Sequence, residues 1–238
     1  MTEKIYKEKQ SDIYDYDRVY PKRWHPYFYV LKLLTSKIEY SAREYISKIT
    51  EPVLLDMGCG NMPYRLILES FTSKYIGADI ANNPQADIHI SSDGEVPLPD
   101  NSIDIILSTQ VLEHVISPEK YLSECYRLLK VGGFIVLSTH GYWYYHPVPT
   151  DFWRWTGSGL KKILKDAGFQ IIEFHGIMAL ASSAMQLVQF AIEPKFPSSK
   201  GIRIILYFVM QLIVQIMDKA FPMNRDDDAC VFFVIAQK

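Results

Sequence analysis

Val53-Leu54-Leu55-Asp56-Met57-Gly58-Cys59-Gly60-Asn61-Met62-Pro63 is an apolar strand pattern that runs straight into a glycine turn. A short apolar run bounded by such a turn reads as a buried strand of a sheet covered on both faces. Glycines at 58 and 60 let the backbone come close to a ligand, and the first strand-to-helix turn of such a sheet is a ligand site. A second strand pattern, Tyr75 to Ile80, ends on Asp79, placed to accept hydrogen bonds from the two hydroxyls of a ribose.

Working outward, strands and helices alternate. Helices are expected over Tyr27–Leu34, Ile38–Ile49, Tyr64–Ser70, Pro118–Leu129 with Ser117 as N-cap, and Gly157–Ala167 closed by Gly168. Further strands are expected over Ala86–Ile90, Ser102–Ser108, Phe134–Ser138, Phe169–Phe174 and Ala229–Ala236, with Gly132-Gly133 stopping the helix before the fifth. This order predicts a Rossmann-like, doubly wound α/β sheet of seven strands, the last antiparallel, with a helical insertion at 176–222 before the last strand. The domain reading is an N-terminal helical lid or cap segment over 1–50 and one domain over 51–238 that includes the insertion.

The chain has 238 residues, 25 Lys plus Arg against 27 Asp plus Glu, 48% apolar and 22% charged residues. That balance is globular and excludes disorder over most of the chain. A net charge of −2 excludes attachment to nucleic acid by bulk positive charge. Cys59, Cys125 and Cys230 are an odd set without a C-x-x-C spacing, which predicts neither a disulfide framework nor a cysteine zinc site, and no metal is expected. The opening MTEKIYKEKQ has no apolar core of a signal peptide, so a cytoplasmic location is the expectation.

A nicotinamide dinucleotide competes for the glycine turn. Its fingerprint needs a third glycine where this chain has Pro63, and Asp56 suits a cationic ligand group better than a diphosphate. From Val53 to Phe174 the sequence resembles the class I S-adenosylmethionine-dependent methyltransferases of the type 11 group. The blocks that carry the resemblance are Leu55-Asp56-Met57-Gly58-Cys59-Gly60, Gly77-Ala78-Asp79-Ile80, Leu98-Pro99-Asp100-Asn101-Ser102-Ile103-Asp104 continuing to Leu112-Glu113-His114-Val115, and Arg127-Leu128-Leu129-Lys130-Val131-Gly132-Gly133. Val131 stands where the group usually has proline. The resemblance implies S-adenosyl-L-methionine as cofactor. Asp56, Gly58, Cys59 and Gly60 would hold its methionine part and Asp79 its ribose, with Ile80 on the adenine. Ser92, Asp93 and Gly94 would form the adenine loop, and Gln110 and Leu112 the floor beneath the sulfonium. The segment from Ala81 to Asp104 holds five acids and no Lys or Arg; a solvated acidic loop accounts for Glu95 and Asp100 but less well for Asp93. His114 reads better as a locally bonded structural residue than as a catalyst.

After the fifth strand comes Ser138-Thr139-His140-Gly141-Tyr142-Trp143-Tyr144-Tyr145-His146-Pro147, then Asp151-Phe152-Trp153-Arg154-Trp155-Thr156. This loop resembles one subgroup of the type 11 enzymes met among bacterial surface-polysaccharide genes, which implies a small-molecule or sugar-linked acceptor. Aromatic faces stack on sugar rings or cover a cation. Tyr142, Trp143, Trp153 and Arg154 are the acceptor-binding candidates, and His146, then His140, the candidate bases. The competing reading packs Trp153 and Trp155 in the core and pairs Arg154 with Asp151. Tyr14, Tyr16, Tyr20 and His25 are candidates for a lid.

Two readings compete with methyl transfer: an NAD-dependent oxidoreductase, disfavoured by Pro63, and a non-catalytic cofactor-binding partner of another methyltransferase, disfavoured by the intact glycine loop. Nucleic acid as substrate is disfavoured, since no Asn/Asp-Pro-Pro-aromatic signature follows the fourth strand. The uncharged runs Gly176–Ile192 and Ile204–Met217, 17 and 14 residues long, are shorter than a spanning helix. Over Ile202–Met217 apolar residues occupy several helical faces, so the run needs cover from its companion run, from a second subunit in a homodimer through 176–222, or from the inner face of a membrane, with Lys195, Lys200, Arg203 and Lys219 as flanking cations. Burial within the chain or in a dimer is the leading expectation.

Overall fold

The computed structural model describes residues 16–91, 94–147, 150–222 and 226–238. A short helix α1 (Tyr16–Val19) precedes a long one, α2 (Phe28–Glu44), which closes with a 3-10 turn over Ile46–Lys48. The two helices expected before residue 50 are thus one, because no proline or glycine interrupts Tyr27–Tyr45. There follow β1 (Val53–Met57), α3 (Arg65–Leu68), β2 (Lys74–Ile80), β3 (Ile88–Ile90), β4 (Ile103–Thr109), α4 (Pro118–Leu128), β5 (Leu129–His140), α5 (Gly157–Asp166), β6 (Gln170–Ile177), α6 (Leu180–Ile192), α7 (Lys200–Ala220) and β7 (Val231–Gln237).

The seven strands lie in the order β3-β2-β1-β4-β5-β7-β6. β1 to β5 run parallel, and β7 enters antiparallel between β5 and β6. Alternate strand residues face two separate cores. Leu54, Ile105, Val136 and Phe233 pack under α2 with Val30, Leu34 and Ile38, while Leu55, Ile106, Ile135 and Val234 pack on the helix side of Leu122, Cys125, Leu160 and Leu164. That alternation is the two-fold period of a strand with both faces covered. α4 ends one residue before β5 begins, so the strand itself, not Gly132-Gly133, terminates the helix; Gly132 takes a left-handed φ of 83° within the strand's irregular start.

The order reverses at β1, whose neighbours are β2 and β4, so the loops after β1 and β4 part at their carboxyl ends and leave a crevice. α1 and α2 cover that crevice from one side. α6 and α7 form a hairpin against α2, and its interior differs from expectation: the residues turned inward are Ser182, Ser183, Gln186 and Gln189 on α6 and Tyr207, Gln211 and Val214 on α7. Of the apolar side chains of α7 only Tyr207 and Val214 are buried, while Ile202, Ile205, Phe208, Val209, Leu212 and Ile216 stay exposed.

Candidate active site

The crevice is a cavity of about 920 Å³ at the carboxyl ends of β1, β4 and β5. One wall begins with the glycine turn. Gly58 and Cys59 both donate backbone N–H to Ala78 O, at 2.8 and 3.1 Å, which folds the turn over the end of β2. Gly58 has φ 78° and Gly60 φ 50°, the left-handed region that glycine enters without a Cβ penalty. Their roles differ. A Cβ on Gly58 would come within 2.6 Å of Val111 Cγ2, whereas one on Gly60 would meet nothing within 4 Å. Gly58 is required by packing, and Gly60 leaves open space on the cavity side.

Asp79, at the end of β2, is held rigidly. Its Oδ2 accepts from Gly60 N at 2.9 Å and Asn83 Nδ2 at 2.8 Å, and its Oδ1 accepts from Ile80 N at 2.8 Å. Asn83 Nδ2 also donates to Gly60 O at 2.8 Å, so one amide clips the glycine turn to the acid. Ile80 presents a half-exposed apolar face beside it. Gly58, Cys59, Gly60, Asp79, Ile80, Gly94 and Gln110 all line the cavity. Burial pushes the Cys59 thiol up, reinforced by the charge of Asp56, so it is a neutral wall and not a nucleophile. Gln110 holds a left-handed φ of 56°, fixed by its N–H on Ser138 O at 2.9 Å and its side-chain amide on Ser138 Oγ at 3.1 Å. A non-glycine residue in that region is a strained backbone that surrounding bonds must hold.

The opposite wall is aromatic and carries three histidines. Tyr27 from the start of α2 and Trp143 and Tyr144 after β5 line it, with Tyr27 Oη and Tyr144 Oη 2.8 Å apart. His140, the last residue of β5, stacks on Trp143 with ring centroids 4.9 Å apart and planes 5° off parallel. Its Nδ1 lies 2.8 Å from Glu113 Oε1. Glu113 is fully buried, and its Oε2 accepts from Thr139 Oγ1 at 2.9 Å. Burial pushes this carboxyl up, but the charge of His140, with hydrogen bonds from His140, the backbone and Thr139, outweighs burial and leaves it below its ordinary value. His146 is held below its ordinary value by burial first and then by the charges of His140 and His114. A histidine so depressed is neutral at physiological pH and able to accept a proton. His114 bonds Thr150 O through Nδ1 at 2.6 Å, and its ring centroid is 6.1 Å from that of His146.

Five of the expected site residues stand elsewhere. Asp56 is buried beneath the turn, off the cavity, and accepts from Tyr75 Oη at 2.6 Å; its position on β1 points the side chain across to β2. Leu112 is fully buried in the core below α4's side of the sheet. Tyr142 turns away to bond Asp228. Trp153 stacks on Trp155 and donates its Nε1–H to Val115 O at 2.8 Å. Arg154 forms a two-pronged pair with Asp151, both contacts at 2.6 Å, and donates to the carbonyl of Trp143 at 3.0 Å, so it fastens the aromatic loop from behind. Ser92, Asp93 and Tyr14 lie outside the described residues, and His25, off the cavity wall, accepts from Tyr27 N at 3.2 Å. The wall also holds residues the sequence reading did not single out for it: Arg18 of α1, Lys120 and Tyr121 of α4, and Tyr144. Glu113 escaped too, since its pairing joins the loop after β4 to His140 at the end of β5, 27 positions on in the chain.

Against known proteins, the model of a family described as a methyltransferase domain matches residues 55–137, from the glycine turn to β5. Residues 55–137 are thus similar to a methyltransferase domain. A Mycolicibacterium smegmatis protein named "Probable S-adenosylmethionine-dependent methyltransferase" is 29% identical over 142 residues, 52% of this chain and 55% of the relative. The ubiquinone biosynthesis O-methyltransferase of Cereibacter sphaeroides is 33% identical over 99 residues, 36% of this chain and 40% of that one. The chain spans about half the length of the curated relatives it matches. In structure it is similar to the [4+2]-cyclase SpnF, with a TM-score of 0.57 at 17% identity over 87% of this chain and 83% of that one. A Haemonchus contortus phosphoethanolamine N-methyltransferase solved with S-adenosyl-L-methionine has a TM-score of 0.52 at 18% identity, over 85% of this chain and 52% of that one. These likenesses are of fold; that a cyclase shares it shows that the sheet alone does not assign the chemistry.

The wall built by the domain fits its cofactor. The space beside Gly60 admits a close backbone approach, Asp79 offers a fixed carboxylate at the strand end, and Ile80 offers an apolar face. The match to a methyltransferase domain sets the nicotinamide reading aside.

Proposed function

We propose that this chain methylates an oxygen, with nitrogen as the second choice, on a small-molecule or sugar-linked acceptor, using S-adenosyl-L-methionine. The observation that carries the reading is the pairing of buried Glu113 with His140 on the wall facing the glycine turn. When bound, the cofactor supplies an electrophilic methyl group on a sulfonium sulfur. Asp79 and the glycine turn hold it, Asp79 by accepting from the ribose hydroxyls. Glu113 faces Nδ1 of His140 and fixes the ring, which leaves Nε2 as the nitrogen able to take a proton from an acceptor hydroxyl. Trp143 keeps the imidazole flat against its own plane. His146, neutral for the reasons given, is the second base.

Tyr27, Trp143 and Tyr144 offer faces on which a sugar ring or an aromatic acceptor stacks. Together with the aromatic loop's resemblance, they support a role in surface polysaccharide synthesis, and the Cereibacter relative's name supports transfer to oxygen. Much of the rate comes from holding acceptor and methyl donor in line, which the fastened loop provides. The test is titration calorimetry with S-adenosylhomocysteine, then product mass over a panel of nucleotide sugars, phenols and phosphorylated small molecules. Heat of binding and a mass gain of one methyl group support the reading; no binding overturns it.

A further inference from the structure

The α6–α7 hairpin is built the wrong way round for water. A helix on a soluble protein turns its apolar stripe inward. Here Gln211 Nε2 donates to Gln186 Oε1 at 2.9 Å and to Gln189 Oε1 at 2.8 Å, and Gln211 Oε1 accepts Tyr29 N at 2.9 Å. The three side-chain amide nitrogens converge within 2.8 to 3.1 Å of Pro26 O, so the two N–H groups of Gln211 are shared among three acceptors. The hairpin is thus fixed to the start of α2 by a closed polar network, and rolling it over would strand those amides. Outward go Leu180, Val188 and Ile192 of α6 and Ile202, Ile205, Phe208, Val209, Leu212 and Ile216 of α7, each 39 to 62% exposed. α7 has 21 residues with a mean hydropathy of 1.6 over its most apolar window, of which 17% is buried.

Charge says what covers this face. The hairpin's acids are committed internally: Asp218 accepts from Tyr29 Oη, Ser182 Oγ and Ala179 N, and Glu193 accepts from Tyr207 Oη and pairs with Arg203. Lys195 and Lys200 at one end and Lys219 at the other form no ion pair among the described residues. A second copy seated here, parallel or antiparallel, would set the terminal lysines of one hairpin against those of the other, with both acids of each hairpin already bonded. An anionic bilayer receives them directly and buries the apolar stripe.

We propose that the hairpin's outer face docks on an anionic lipid surface, lying in the interface with its terminal lysines on the head groups. The polar network along its other side keeps α7 on the protein body, in the membrane plane. Phe190 of α6 packs on Tyr144 and Trp143, with centroids 4.2 and 5.3 Å apart, so docking brings the cavity's aromatic wall beside the bilayer. Where the methyltransferase reading holds, the acceptor class this favours is an amphiphile presented from the membrane. Docking itself does not depend on that reading.

The test is flotation of the full chain with vesicles of phosphatidylcholine alone or with about a third phosphatidylglycerol, at low salt. Co-flotation is expected with the anionic vesicles and several-fold less with the neutral ones. Ile205→Asp with Leu212→Asp, both at exposed positions, should cut it about tenfold while the melting curve by circular dichroism stays unchanged. Lys195→Glu with Lys200→Glu and Lys219→Glu should abolish the preference for anionic vesicles. Absence of co-flotation with either vesicle, or unchanged co-flotation of the double Asp variant, overturns the proposal. So does a dimer by light scattering that the double Asp variant dissolves, which would assign the face to a second copy.

Discussion

His140 and Glu113 face each other across 2.8 Å behind the aromatic wall of the cavity, with Glu113 wholly out of water and His140 5% exposed. A buried carboxylate against an imidazole fixes the ring, and that contact, with the bond from Thr139, holds the Glu113 carboxyl below its ordinary value although burial pushes it up.

Glu113→Gln keeps the shape and removes the charge. It should lower kcat about 10- to 100-fold, the range lost when a general base is left unsupported, with acceptor KM and S-adenosylhomocysteine affinity within about twofold. His140→Ala should cost more. Steady-state kinetics alongside calorimetry checks it; a lower melting temperature with normal kcat would make Glu113 a residue of stability only.

Asp79→Ala should weaken cofactor binding by about 10- to 100-fold, since charged hydrogen bonds contribute about 1.5–3 kcal/mol each. Asn83→Ala, which frees the clip between Asp79 and Gly60, should cost several-fold less. Titration with S-adenosylhomocysteine gives both numbers.

The two glycines of the turn should separate in their effects. Gly58→Ala drives a methyl into Val111 and should lower the melting temperature. Gly60→Ala enters open space, so only left-handed backbone strain of about 1 kcal/mol opposes folding, but the methyl takes room on the cofactor's side. Its cofactor affinity should therefore fall more than its stability.

Asp56 gives the apo protein a pH slope. Burial, reinforced by the charge of Asp79, raises its carboxyl from the ordinary 3.8 to about 7, against the opposing bond from Tyr75 and the charge of Arg18. Between those two values the native state keeps a proton that the unfolded chain releases, so this group's contribution to stability falls as pH rises from about 4 to about 7 and stays low above that. Asp56→Asn should flatten that part of the profile, and Tyr75→Phe should move it to higher pH. Melting temperatures from about pH 5 to about pH 8 test both.

The strand–helix alternation, the glycine turn and the acid at the end of the second strand were all legible in the sequence, and the cofactor followed from the family resemblance that those blocks carry. Those signals are local: a strand's apolar run, a turn that only glycine tolerates, and a fixed spacing between them report on backbone geometry within a few residues. What tertiary structure alone decided was which side chains face the cavity. Asp56 is drawn off by Tyr75 on the neighbouring strand, Arg154 is taken by Asp151 and the loop carbonyls, and Trp153 by Trp155, although each is chemically suited to a site. Glu113 becomes part of one only because β5 delivers His140 beside it. The insertion makes the same point: its apolar residues announce a helix that needs cover, but Gln186, Gln189 and Gln211 choose which stripe turns inward by meeting the carbonyl of Pro26, at least 160 positions away in the chain. A buried amide must be satisfied where partners exist, and the place of those partners is a property of the fold, not of the helix.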